Sequence, residues 1–192
     1  MKKQGAPTAT GNKQLEQALT RAKQTGNLTV CDRALKAFPD EILKFEDLQV
    51  IENWWEGCPL TKIDLSNNEI PSVPEEVATQ EEIVWFNISN NKLAAVPHAL
   101  FSLKALKFLD VSYNQITVLS EALGMAHTLV ELRVGGNQLR ELPRSIGDLS
   151  NLEIFDARRN KLVALPIEMG GLTKLLKCDI EENQLTKVPN VL

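Results

Sequence analysis

Apolar residues recur along this chain in one fixed frame, L-x-x-L-x-L-x-x-N-x-L, in which x is any residue. The most regular copy runs from Leu106 to Ile116. An apolar residue follows five positions after the asparagine, and proline comes next in every copy except the one with Ser120. The asparagine recurs every 23 residues, at Asn68, Asn91, Asn114, Asn137, Asn160 and Asn183. A period of this length predicts a solenoid, because no single repeat is large enough to bury a core alone.

Within each repeat the frame predicts one short strand and a turn. Alternate residues such as Leu109 and Val111 point to one side of a strand, so we expect them to fill the core. The asparagine amide can pair with main-chain groups that the curved chain leaves without partners. The proline segment suits the convex side, where a missing N–H is harmless. The predicted fold class is therefore α/β, a curved parallel β-sheet with irregular or single-turn helical segments on the convex side.

The N-terminal part departs from this period. A less regular copy runs from Leu28 to Ile42, with Arg33 in place of the asparagine, and it lies 12 residues further from Asn68 than one period allows. We therefore predict an insertion near residues 45–55. Its pair of tryptophans is expected to pack the insertion over the first repeats, with partner binding as the alternative. The pair consists of Trp54 and Trp55.

Both ends of the array differ from its repeats. Residues 13–26 carry apolar residues at helical spacing and stop at Gly26, which predicts an N-terminal cap helix. Residues 1–12 are predicted to be a disordered arm, and residues 27–192 to be an array of about seven repeats. The chain stops within a convex segment, so no C-terminal cap is predicted. We expect either a longer natural protein or a partner that covers this end.

The frame with Leu142-Pro143 and Ile146 resembles the intracellular, typical-type leucine-rich repeats of scaffold proteins in the Ras pathway. The segments 22–28 and 54–68 are together similar to the beginning of a eukaryotic family, leucine-rich repeat-containing protein forty. This resemblance implies further repeats beyond Leu192 and a protein-binding role without known catalysis. It implies no particular partner.

The charge balance argues against a nucleic-acid binder. The formal net charge is −4, whereas such proteins normally present a basic face. Residues 1–26 carry five lysines or arginines against one glutamate, which is more typical of a solvated tail than of a ligand-binding arm. No apolar stretch is long enough to cross a membrane, and none follows Lys2 and Lys3 as in a signal peptide. We expect a cytoplasmic or nuclear protein that does not insert into membranes.

No pattern in the chain predicts catalysis. The cysteines Cys31, Cys58 and Cys178 lack metal-binding spacing, and Cys178 replaces an inner leucine, so we expect it in the core. The motifs G-x-S-x-G, H-E-x-x-H and the Walker loop are missing from the sequence. The two histidines, His98 and His127, lie in different repeats that offer no matching nucleophile. We therefore expect a non-catalytic protein with no metal, cofactor or small-molecule substrate.

Strand residues that flank the core positions should point to the concave face and stack in ladders across neighbouring strands. The first ladder is Lys62, Trp85, Phe108, Glu131, Ile154 and Lys177. The second is Asp64, Asn87, Asp110, Arg133, Asp156 and Asp179. The third is Ser66, Ser89, Ser112, Gly135, Arg158 and Glu181.

The first ladder contains the strongest candidate for a binding site. Trp85 and Phe108 should lie side by side, with Ile154 two strands away. Exposed aromatic residues with a polar rim are typical of binding hot spots, so we predict that they anchor a partner protein, with Tyr113 near the edge. Charged side chains of the other ladders would orient the partner and reject wrong ones. These are Asp64, Asp110, Arg133, Asp156 and Arg158.

Other interpretations remain open at this stage. Neighbouring side chains could cover the aromatic pair, and the charges could form a solvated network that neutralises itself. The chain could also be a structural building block of a cytoskeletal or other large assembly. A further alternative is the recognition arm of a longer signalling enzyme.

Overall fold

The structure is a computed structural model that describes residues 9–48 and 57–187. It opens with helix α1 (Ala9–Thr25). Seven strands of three residues follow, namely β1 (Asn27–Thr29), β2 (Lys62–Asp64), β3 (Trp85–Asn87), β4 (Phe108–Asp110), β5 (Glu131–Arg133), β6 (Ile154–Asp156) and β7 (Lys177–Asp179). Each strand pairs in parallel with its neighbours in the sequence, which gives one open, curved sheet. The predicted α/β solenoid is confirmed.

The register between strands places equivalent residues of successive repeats side by side. Trp85 pairs with Phe108, and Phe86 pairs with Leu109. Because side chains alternate across a strand, this register stacks core residues only on core residues. The central residues of β2 to β6 are at most 1% exposed, and they are Ile63, Phe86, Leu109, Leu132 and Phe155. The repeats therefore share one continuous core, and the flanking residues form the opposite, concave face.

A buried asparagine connects each repeat to the one before it. The Nδ2 of Asn114 donates to three carbonyl oxygens, those of Val111 at 3.0 Å, Ser112 at 3.1 Å and Ile88 of the preceding repeat at 3.1 Å. Its Oδ1 accepts a hydrogen bond from the main-chain N–H of Leu93 at 2.9 Å. Asn114 is only 8% exposed, so these bonds satisfy main-chain groups that water does not reach. The predicted role of the repeating asparagine is confirmed.

The convex side consists of short helical turns. Proline precedes most of them in an extended conformation, as at Pro143 with φ −64° and ψ 149°. In the one copy that lacks proline, the Oγ of Ser120 accepts a hydrogen bond from Ala122 N–H at 3.0 Å. These turns comprise helix α2 (His98–Phe101) and the 3₁₀ turns Glu75–Thr79, Glu121–Met125, Arg144–Asp148 and Ile167–Gly171. The predicted single-turn segments are therefore present.

Glutamates at the start of two convex turns join neighbouring repeats. The two carboxylate oxygens of Glu121 accept hydrogen bonds from the N–H groups of Arg144 at 3.1 Å and Ser145 at 2.9 Å. Glu75 makes the same pair of bonds with His98 and Ala99. The bonds from Ser145 and Arg144 to the ionised carboxylate lower the pKa of Glu121 below the ordinary 4.5. Glu121 therefore stabilises the fold most when it is ionised.

We expect the stability contribution of Glu121 to disappear in acid. Since the folded pKa is lowered, the contribution is present above the unfolded value and is lost as the pH falls through the folded value. Glu121→Gln should therefore flatten the fall in unfolding free energy below about pH 4.5. Urea denaturation at a series of pH values measures this. Glu141→Gln is the control, because it removes a convex carboxylate that makes no hydrogen bond among the described residues; equal pH profiles for the two variants would contradict the prediction.

The helix at the N-terminus covers the first strand. It begins at Ala9, earlier than the predicted boundary at residue 13, while residues 1–8 lie outside the described part. Leu15 and Leu19 of α1 are buried in the core. Lys23 is only 2% exposed, and its Nζ donates to the carbonyl oxygen of Glu46 at 3.2 Å. This lysine ties the turn at 45–47 to α1; the rest of the predicted insertion, with its two tryptophans, lies outside the described residues.

The prediction for Cys178 is wrong. Its equivalents in earlier strands, such as Phe155 and Leu132, are buried, but Cys178 is exposed. The reason is its position in β7, the last strand of the sheet, where the described residues provide no further repeat to cover it. A core position in the frame is buried only when a neighbouring repeat, or a cap such as α1 beside Leu28, covers each side of it.

Candidate binding surface

Two aromatic rings stack on the concave face. The centroids of Trp85 and Phe108 are 4.7 Å apart, and the ring planes differ by 5°. Their strands are paired in register, so the separation of the rings matches the spacing of neighbouring strands. Both side chains are half-buried, which leaves part of each ring open to solvent. The structure thus brings together the two residues predicted to be anchors.

A cation lies beside each ring of this stack. The Nζ of Lys62 is 4.2 Å from the ring centroid of Trp85, and the Cζ of Arg133 is 5.4 Å from that of Phe108. These distances are within the range of cation–π interactions. We call the four residues Lys62, Trp85, Phe108 and Arg133 the concave aromatic cluster. It combines an apolar contact surface with positive charge at both ends.

Both predicted orienting arginines are paired with carboxylates of the concave face. The Nη2 of Arg133 lies 2.5 Å from the Oε1 of Glu131, and its Nη1 lies 3.9 Å from the Oδ2 of Asp110. The Nη2 of Arg158 lies 2.9 Å from the Oδ2 of Asp156, and its Nη1 lies 3.6 Å from the Oδ2 of Asp179. Such partly exposed pairs each contribute under about 1 kcal/mol. A partner that uses these charges therefore has to share or replace an internal contact.

Asp110 is the least accessible of the predicted charges. It is 7% exposed, and its Oδ1 accepts hydrogen bonds from the N–H of Ser112 at 2.9 Å and from its hydroxyl at 2.5 Å. Burial raises the pKa of Asp110, although these two bonds and Arg133 partly oppose that rise. Asp64 makes the same two contacts with Ser66. The second ladder thus shapes the ends of the strands, a role that the Asp-x-Ser spacing signals in the sequence.

A fourth ladder lies immediately before the repeating asparagines, and sequence reasoning identified only Tyr113 in it. All its residues have positive φ, and they are Asn67, Asn90, Tyr113, Gly136, Arg159 and Glu182. Tyr113 is 47% exposed, and its hydroxyl accepts a hydrogen bond from Nη1 of Arg159 at 3.4 Å. These two residues are two repeats apart and meet across Gly136. The 23-residue period gives their alignment, but only the structure shows the contact.

Because Gly136 has no side chain, the ring of Tyr113 can pack directly against its backbone. A Cβ at this position would lie 2.6 Å from Cδ1 of Tyr113. We expect Gly136→Ala to displace the ring and to destabilise the protein by about 1 kcal/mol beyond the backbone strain of alanine at φ +65°. Thermal unfolding of Gly136→Ala in the wild-type and Tyr113→Ala backgrounds separates the steric cost of displacing the ring from the backbone strain. Equal costs in both backgrounds would contradict a steric role for the ring.

The predicted residues fall into two neighbouring regions of the concave face. Trp85 and Phe108 form the aromatic stack, while Ile154 is half-buried on β6, with Glu131 of β5 between it and Phe108. Five other predicted residues line a shallow depression of about 460 Å³ next to Gly135, namely Asp110, Tyr113, Arg133, Asp156 and Arg158. Arg133 belongs to both regions. Asp64 lines neither region; it lies on β2, where its carboxylate accepts hydrogen bonds from Ser66.

Two further observations concern the part of the chain that the structure describes. In residues 9–48 and 57–187, no group of three or more histidine, cysteine, aspartate or glutamate side chains is arranged to hold a metal ion. None of the helices within these ranges combines the length and the apolar character needed to cross a membrane.

Comparisons with known proteins agree with this architecture. The sequence model described as "Leucine rich repeat" matches residues 58–116 and 81–139. A leucine-rich repeat protein of Leptospira interrogans has a TM-score of 0.66 and 21% identity over 100% of this chain and 62% of that chain. The GASSHO1/SCHENGEN3 receptor kinase ectodomain of Arabidopsis thaliana, in complex with Casparian strip integrity factor 2, has a TM-score of 0.71 and 23% identity over 88% of this chain and 20% of that chain.

A third similar structure is the plant peptide hormone receptor RGFR1 in complex with RGF2. Its TM-score is 0.65, with 24% identity over 77% of this chain and 23% of that chain. This chain therefore spans less than two thirds of the length of each of the three proteins. At these identities the likeness shows a shared fold.

Proposed function

We propose that this leucine-rich repeat protein is a non-catalytic scaffold that binds a partner protein on its concave face. The observation that carries the proposal is the concave aromatic cluster, in which two stacked rings remain half-exposed between two cations. Tryptophan, tyrosine and arginine are the residues most enriched at the energetic centres of interfaces. The cluster presents two of these types on one rigid sheet.

The rigidity of the sheet supports this role. The strands β2 to β6 are each held by main-chain pairing on both sides and by a buried core beneath them. The anchors therefore lose little conformational freedom when a partner binds, which favours affinity. Arg133 connects the stack to the neighbouring depression, so a partner that covers Phe108 also reaches Tyr113 and Arg158.

The similar structures are consistent with a binding role. Two of them are receptors in complex with another molecule, Casparian strip integrity factor 2 in one case and RGF2 in the other. We carry over from them only the general idea of recognition by this fold. The narrower likeness to leucine-rich repeat-containing protein forty and a location in the cytoplasm or nucleus remain part of the proposal.

A pull-down from native extract with the 192-residue chain tests the proposal. Wild type is compared with a concave variant, Trp85→Ala with Phe108→Ala, and with a matched convex variant, Val118→Ala with Met125→Ala. The convex pair consists of apolar side chains that are 59% and 58% exposed. Proteins retained by wild type and by the convex variant, but lost by the concave variant, support the proposal. Proteins lost only by the convex variant would contradict it and would favour a structural role in an assembly.

A further inference from the structure

A second open surface lies at the N-terminal end of the sheet, between α1 and β1. It is a groove of about 600 Å³. Its walls come from one face of α1, with Gln14, Gln17 and Arg21, and from the first repeat, with Asn27, Thr29 and Arg33. We call it the N-terminal groove. Asn27 of β1 pairs with Lys62 of β2, so the groove borders the concave aromatic cluster without including any of its residues.

Two residues of the first strand, Asn27 and Thr29, line this groove. On the inner side of the strand, the carbonyl oxygen of Gly26 accepts a hydrogen bond from Lys62 N–H at 3.0 Å, and Val30 N–H donates to Asp64 at 2.8 Å. Since main-chain groups alternate sides along a strand, Asn27 and Thr29 point away from β2. The N–H of Asn27 donates to the Oγ1 of Thr25 at 3.3 Å, whereas the N–H of Thr29 makes no hydrogen bond to another described residue. An outer strand edge of this kind can accept a further strand.

The groove is also positively charged. Among the described residues, no acidic side chain lines it. The Nη1 of Arg33 donates to the neutral amide oxygen of Gln14 at 3.0 Å, and neither Arg33 nor Arg21 forms a salt bridge with a described carboxylate. In contrast, Arg133 and Arg158 of the concave face each have two carboxylates nearby. No described carboxylate neutralises Arg21 or Arg33, so both can attract an acidic ligand.

We propose that the N-terminal groove binds an extended acidic peptide segment of a partner protein, which adds as a strand to the outer edge of β1. Main-chain hydrogen bonds to the N–H and C=O groups of Thr29 and to the C=O group of Asn27 hold the segment. Acidic side chains two positions apart point to the same face of an extended peptide and pair with Arg21 and Arg33. This site is independent of the function proposed for the concave face.

Two pools of fluorescently labelled octapeptides test the charge requirement. One pool has glutamate at positions 3 and 5, the other has glutamine there, and the remaining positions are randomised without acidic residues. Fluorescence anisotropy should show that the full chain binds the glutamate pool about threefold to tenfold more tightly, since each exposed ion pair contributes under about 1 kcal/mol. Arg21→Gln with Arg33→Gln should remove this preference. No binding of the glutamate pool, or equal binding of both pools by wild type, would overturn the proposal.

Methylation of peptide nitrogens tests the strand pairing. One version of the glutamate pool carries N-methyl groups at positions 3 and 5, and another carries them at positions 4 and 6. Because only alternate N–H groups of a strand face its neighbour, one version should lose binding and the other should retain it. Equal affinities of the two versions would contradict the pairing. The Trp85→Ala, Phe108→Ala variant should bind the glutamate pool like wild type, so failure at the concave face and failure at the groove are told apart.

Discussion

Replacing Asn114 with aspartate is expected to destabilise the protein by about 3–5 kcal/mol. The two residues have the same shape, but Nδ2 of Asn114 donates hydrogen bonds to three carbonyl oxygens in a site that is 8% exposed. An aspartate oxygen in that position would face the three carbonyl oxygens without a proton to share. The buried charge and the unpaired acceptors both raise the free energy of the folded state. Urea denaturation at neutral pH measures the loss.

The control for this variant is Asn90→Asp. Asn90 lies in the fourth ladder and is exposed, and its Nδ2 donates to another side chain, the Oδ1 of Asn67, at 2.6 Å. We expect Asn90→Asp to lower the free energy of unfolding by under about 1 kcal/mol. Acid should partly restore Asn114→Asp, because protonation of a buried aspartate removes its charge and provides one donor. Similar losses at Asn114 and Asn90 would contradict the account of how successive repeats are joined.

Removing both rings of the concave aromatic cluster is expected to weaken partner binding by at least about 100-fold. Hot-spot residues each contribute about 2 kcal/mol or more, and every 1.4 kcal/mol is a factor of ten in affinity. The two rings stack on each other, so the losses from Trp85→Ala and Phe108→Ala should not be additive. Isothermal titration calorimetry with the identified partner, on both single variants and the double variant, measures the coupling.

The same variants must be shown to remain folded. Both rings are half-buried above the sheet, and the core beneath them consists of other residues, among them Phe86 and Leu109. We therefore expect circular dichroism spectra like those of wild type. The convex variant Val118→Ala with Met125→Ala should keep the affinity of wild type within about twofold. Unchanged affinity in the double concave variant would place the interface elsewhere on the molecule.

The fold could be predicted from the sequence because one period fixes both the strand and its register. Once Asn114 and Asn137 are aligned, Phe108 must pair with Glu131, and the ladders follow without further information. The same period predicted burial wrongly at the end of the sheet, where Cys178 occupies a core position that the described chain does not cover. Burial in a solenoid depends on the neighbouring repeat as well as on the residue's own place in the frame.

The contacts within the candidate site could be predicted only in part. The stacking of Trp85 on Phe108 follows from their places in one ladder. The burial of Asp110 could not be predicted from the ladder, because it depends on how Ser112 and Arg133 pack against the carboxylate. The contact between Tyr113 and Arg159 spans two repeats and needs the missing side chain of Gly136, so no local pattern indicates it.

The most direct test of the central claim is photo-crosslinking from two matched positions. A benzoylphenylalanine replaces either Ile154, half-buried on the concave face, or Val118, which is 59% exposed on the convex side. Both are β-branched aliphatic residues, so the two substitutions replace the same type of side chain. We predict that the partner recovered with wild type is crosslinked from position 154 and not from position 118. Crosslinking from position 118 alone would contradict recognition by the concave face.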